Sequence, residues 1–350
     1  MDKEWSERNK KMQRLISAES TFADGIKCLI ELREIVFTQI SEIINGIPEK
    51  AFSELVNERT LAFLIWHTFR IEDIVIHNLI LNDEQEFFKA RWQKKNQSKI
   101  ITTANELNGN EFVEFSKPLN IKELYNYAVA VKNSTNEMLK KIEYKDLKRT
   151  FSEEDKRRIE ETGSVSHSDE AYWLIDFWCK KNVAGLIKMP LSRHWIMHVE
   201  EMRRIKNKLC KQARAGVNPV AYCGFSCNHC FLSEWCGSCR TEYNCCSFAT
   251  CSPDRKCANV VCCKSKGLEG CYECSEIEFC KLGFYVEGND GAAAAKAQAL
   301  FMAKHGRKDF LKMQDLFHQK YQFAKTQEIL GQDVHKGLEI LEKIWEERKK

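Results

Sequence analysis

Fourteen of the seventeen cysteines in this chain fall in the short interval from Cys223 to Cys280. No other feature limits the fold so strongly. The stretch from Tyr222 to Tyr285 is rich in Gly, Ser, Asn and Cys and lacks long apolar periodicity. Such a segment cannot build an ordinary hydrophobic core, so something besides apolar burial must hold it. The spacing supplies a candidate. Cys227-x2-Cys230, Cys236-x2-Cys239 and Cys271-x2-Cys274 set thiols two residues apart, flanked by Cys223, Cys257, Cys262 and Cys280. Two thiolates in such a turn fit two corners of a tetrahedral metal. A reducing compartment does not maintain disulfides, which favours metal. Zinc is the expected occupant. An iron–sulfur cluster is the lesser expectation, since thiolates suit iron as well. Cys263 and one of Cys245 and Cys246 read as spectators, and His229 could replace one thiolate. The spacing leaves open which cysteines share a metal.

With 350 residues the chain has room for more than one domain. The charged start, MDKEWSERNK, has no apolar run behind it, and no apolar stretch is long enough to span a membrane. A soluble, cytoplasmic protein is therefore expected. The net charge of +4 is spread thinly, and the cysteine-rich part is slightly acidic, with 6 Lys/Arg against 8 Asp/Glu from Tyr222 to Gly288. Binding to nucleic acid needs clustered cations. A nucleic-acid partner is therefore not expected.

The apolar pattern before the cysteines is helical. Helices are expected at about 20–44, 53–81, 121–142, 170–187 and 191–211, with 145–169 as a polar connection that has room for one helical turn. After Gly291 helices are expected at 292–302, 308–330 and 333–348. The fold expected is mainly α. It has a helical bundle over 1–212, a cysteine-rich metal-binding module over 213–288 and a C-terminal helical extension over 289–350. No GxGxxG, GxxxxGK[ST] or GxSxG pattern is present.

Three of the nine histidines stand out. His194 and His198 lie four apart in LSRHWIMHVEEMRRI, on a helical face that continues through Met202, Ile205 and Leu209. His67, in LAFLIWHTFRIEDIVI, shares a face with Leu64, Ile71 and Ile74. Both faces point inward. Buried imidazoles need partners, and a shared metal would supply one to all three. Three neutral histidines with an open position make a catalytic arrangement. Of the charged neighbours, Arg70 could reach a substrate anion and Asp73 could orient a ligand imidazole. For both, an ion pair is the plainer expectation. Glu201 is better placed than Glu200 to approach the site.

The runs LAFLIWHTFRIEDIVI and MPLSRHWIMHVEEMRRI resemble the metal-bearing helices of the DinB-like superfamily, damage-inducible four-helix proteins that need a metal. The resemblance covers about Ser20 to Lys211, and His67, His194 and His198 match the pattern position by position. It implies a four-helix bundle holding zinc or nickel. It also implies a transferase or isomerase activity with low-molecular-weight thiols such as bacillithiol or mycothiol, as in some relatives. The pieces AYCGFSCNHC, CGSC and CANVVCCKSKGLEGCYECSEIEFC, with AKAQALFMAKHGRKDFLK behind them, resemble domain-of-unknown-function family 3795. That match carries Cys223, Cys227, Cys230, Cys236, Cys239, Cys257, Cys262, Cys271, Cys274 and Cys280, and implies metal binding.

Three readings compete. One is a metal-dependent transferase or hydrolase, using a small molecule or thiol, with the cysteine-rich part as an appendage. Another is a non-catalytic zinc protein that docks a protein partner or serves a stress response. The third is a metal or redox sensor using the surplus thiols.

Overall fold

The computed structural model describes residues 2–246, 249, 256–286 and 291–348. Cys251 lies outside them. The chain is mainly helical, and among the described residues the only β pairing is two isolated bridges, Val56–Arg59 and Val220–Ser226. It divides into two compact units, Met1–Lys206 and Asn207–Lys350.

In the first unit the long helices are α1 (Lys3–Leu15), α2 (Phe22–Gly46), α3 (Leu61–Ile74) and α4 (Ile121–Lys141). Shorter α5 (Glu153–Glu161), α6 (Asp169–Cys179) and α7 (Val183–Lys188) follow, then α8 (His194–Arg214), which belongs to this unit up to Lys206. Helix α1 was not expected. Asp2 caps it, and Trp5, Met12 and the following Ile16 bury against the core. Helix α5 occupies the expected polar connection. Its sequence signal is the capping box of Ser152 and Asp155, in which each side chain satisfies the other's backbone N–H. The expected 53–81 helix begins later. Thr60 caps it by accepting from the Phe63 N–H at 3.2 Å, and one-turn structure fills 49–53. The 170–187 expectation breaks at Asn182, whose side chain caps α7.

Helix α3 is the centre of this unit. All fourteen of its residues are buried, polar ones included. It packs on α4, which also packs on α2. Trp195 of α8 sits 5.0 Å from the Phe69 ring of α3 and 6.0 Å from Phe37 of α2. Both histidine-bearing helices carry a π-helical stretch. It follows α3 at Val75–Leu81 and precedes α8 at Met189–Arg193, where Pro190 lacks the N–H that an α-helix needs.

The second unit contains α9 (Ala258–Ser265), α10 (Ala292–His305), α11 (Arg307–Lys320), α12 (Thr326–Leu330) and α13 (Val334–Glu347). The expected 308–330 helix is interrupted after Lys320. Helix α10 packs on α11 and α13 and buries Phe301 and Met302 with Phe310, Phe317, Leu341 and Trp345. Cys263, Cys271, Tyr272, Ile277 and Tyr285 join that core, so helices supply part of what the cysteine segment lacks. The contact is close at Gly224. Its φ is +101°, and a Cβ there would stand 2.8 Å from Ala299 Cβ and 2.9 Å from the Ala295 carbonyl oxygen of α10.

Candidate metal centres

The three histidines converge. His194 Nε2 lies 3.3 Å from His67 Nε2 and 3.1 Å from His198 Nε2. Nitrogens at about 2.05 Å from one tetrahedral ion stand about 3.3 Å apart, so the spacing suits one shared ion. The outer nitrogens fix which atoms carry protons. His67 Nδ1 lies 3.1 Å from the Thr103 carbonyl oxygen, which can only accept, so Nδ1 donates and Nε2 presents a lone pair. His198 Nδ1 faces the Glu201 carboxylate at 3.4 Å, which orients that ring the same way. The His194 Nδ1 is buried without a hydrogen-bond partner. One proton on His194 could satisfy one neighbour and not both. A cation satisfies all three.

Burial keeps the His67 and His194 rings neutral. It pushes His67 down to about 3 and His194 well below its ordinary value, with His198 adding to the effect in each case. Neutral imidazole is the form that ligates a metal. Among the described residues no fourth His, Cys, Asp or Glu donor joins the trio within 4.8 Å. His67 and His194 are buried, while His198 and Glu201 keep partial exposure, so the site opens on their side.

The neighbours divide differently from expectation. Arg70 is fully buried and held by Asp73, Gln85, Tyr127 and the Ile101 carbonyl, so it is not free to meet an anion. Asp73 accepts from Tyr127 at 2.8 Å and from the Glu86 and Phe87 N–H groups at 2.9 Å each. The Thr103 carbonyl, not Asp73, orients the His67 ring. Arg59 escaped the sequence reading. Its charge acts on both His67 and Glu201. It sits just before the α3 cap, at the end of a turn whose central residues Asn57 and Glu58 have φ of 51° and 61°. No periodicity marks such a position.

The expected thiols gather into two groups. Cys223, Cys227, Cys230, Cys236, Cys239 and Cys257, with Cys246, wall a cavity of about 720 Å³. Cys262, Cys271, Cys274 and Cys280, with Cys263, wall another of about 290 Å³. Among the described residues no three of these sulfurs lie within 4.8 Å of one another, so the cavities sort the thiols without assigning which would share a metal. Burial pushes several of the thiols up, to about 11 at Cys230 and about 12 at Cys239, so without a cation they stay protonated. A bound metal reverses that by stabilising the thiolate. Cys210 lies before the Cys223–Cys280 interval. Its Sγ stands 3.9 Å from Cys245 Sγ, within thiol hydrogen-bond reach. His229 turns instead to Asp315 at 3.0 Å and stacks on His318.

No helix among the described residues is long and apolar enough to cross a membrane. No protein-family profile, curated protein or solved structure matches this chain.

Proposed function

We propose that this chain is a metal-dependent transferase or hydrolase whose reaction centre is a divalent ion held by His67, His194 and His198. The observation that carries the proposal is the convergence of three Nε2 atoms at 3.1 and 3.3 Å, with the Nδ1 atoms of His67 and His198 turned outward to acceptors. Zinc or nickel fits a three-imidazole set. Such an ion supplies Lewis acidity and lowers the pKa of a bound water or thiol toward neutrality. The chain's own residues do the rest. Thr103 and Glu201 hold the rings in the ligating tautomer, and Phe63, 5.3 Å from the His67 ring, keeps that side dry. Arg59 adds a positive charge whose field reaches His67 and Glu201 and would favour an anionic substrate group.

The resemblance to DinB-like four-helix bundles fits the same reading and adds a low-molecular-weight thiol as the candidate substrate. In this reading the cysteine-rich part is a metal-held appendage. The test is metal analysis of the purified chain beside His194→Ala. The variant should lose one metal per chain and keep the thiolate-bound metal. Any thiol transfer or ester hydrolysis found with the metal-loaded chain should disappear with it. Equal metal content in the two proteins would overturn the proposal.

A further inference from the structure

The smaller cysteine cavity is walled entirely by residues between Asn259 and Tyr285, all of them described. Its volume of about 290 Å³ is roughly twenty times the 10–15 Å³ that admits one water. A lone structural zinc leaves no such room. Four sulfurs at about 2.3 Å from one ion stand about 3.8 Å apart and close over it. The sulfurs here are arranged otherwise. Cys263 Sγ and Cys271 Sγ approach to 3.6 Å, but no third sulfur completes a set within 4.8 Å. Cys262, Cys274 and Cys280 line the same cavity without joining that pair.

We infer that Cys262, Cys271, Cys274 and Cys280 hold an iron–sulfur cluster. In a four-iron cluster each cysteine binds its own iron, so the protein sulfurs stand apart around an inorganic core. That arrangement matches this wall. The surrounding donors are also distributed sulfur by sulfur. The Asn259 amide reaches Cys271 Sγ at 3.6 Å, the Lys266 ammonium reaches Cys274 Sγ at 4.0 Å, and the Leu282 N–H reaches Cys280 Sγ at 3.5 Å. Hydrogen bonds of this kind stabilise ligand thiolates and tune a cluster's potential. Cys263 is buried against Cys271 and serves as a thiol donor rather than a ligand. The inference is independent of the histidine site.

The experiment uses the full chain, produced in iron-supplied cells and purified without oxygen. Iron and acid-labile sulfide should be present in equal amounts, with a broad visible absorbance that dithionite bleaches. The double variant Cys274→Ala/Cys280→Ala should lose one cluster's worth of both, while Cys263→Ser and His194→Ala should keep it. If the double variant does not fold, Cys280→Ser reads the same site through shifted visible and electron-paramagnetic spectra. A colourless wild type that contains zinc and no sulfide overturns the inference. So does a cluster whose content and spectra ignore every change at Cys274 and Cys280.

Discussion

Helix α3 carries Arg70, Glu72 and Asp73 into the interior, and each is matched atom for atom. Arg33 of α2 donates to Glu72 at 2.6 and 3.0 Å, and Thr135 of α4 adds a third bond at 2.6 Å. Removing one partner of a buried pair strands the other. Glu72→Ala should therefore cost about 3–5 kcal/mol, while the double change Arg33→Met/Glu72→Leu should cost far less. Urea unfolding of both variants checks this. Similar losses in the two would show that the pair matters through packing alone. The histidines give a pH dependence with a definite sign. An unfolded imidazole takes up its proton near 6.5, whereas native His67 resists protonation down to about 3. Between those values the unfolded state binds more protons, so stability falls as pH falls. Metal-free protein should lose up to about 1.4 kcal/mol per pH unit for each such histidine below pH 6. His67→Gln should flatten the slope, and an unchanged slope would place the titration elsewhere.

Between helices, the decisive contacts are often made by residues with little side chain. A Cβ at Gly25 of α2 would stand 2.5 Å from Ile16 Cγ2 and 2.7 Å from the Ile16 backbone nitrogen. Gly25→Ala should push α1 off α2 and destabilise the protein by about 1–3 kcal/mol, despite the gain in helix propensity. A raised melting temperature would contradict this close approach. The element scale also shows what a sequence can and cannot disclose. Helix α4 was legible almost to its ends, because Asn120 caps it and its apolar stripe is regular. The inward face of His194 and His198 was legible for the same reason. The two π-helical stretches were not, since a π turn leaves no periodic mark of its own. Arg59 and the Thr103 carbonyl were hidden too, because they reach His67 from loops distant in sequence or placed by an unusual turn. The grouping of the cysteines was invisible, because spacing fixes pairs within a turn and not which turns meet.

At the scale of the molecule, the two units differ in how much apolar core they bury. The first has an apolar core of its own, built from Leu29, Ile74, Val75, Leu79, Leu174 and Leu186 among others. The polar groups of α3 are satisfied by side chains and carbonyls, so loss of an ion at the histidines leaves that core intact. The second unit divides internally. Helices α10, α11 and α13 share a core, but many residues between Cys223 and Cys246 sit in turns around the larger cavity with few apolar partners. For such turns metal binding and folding are one equilibrium. Stripping metal with a strong chelator should abolish amide-exchange protection in the 223–246 segment while α3 and α4 keep theirs. If α3 loses protection together with that segment, the first unit depends on its ion for folding. If 223–246 stays protected after metal analysis shows the chain is empty, apolar burial rather than thiolate ligation holds those turns, and the premise drawn from the cysteine spacing fails.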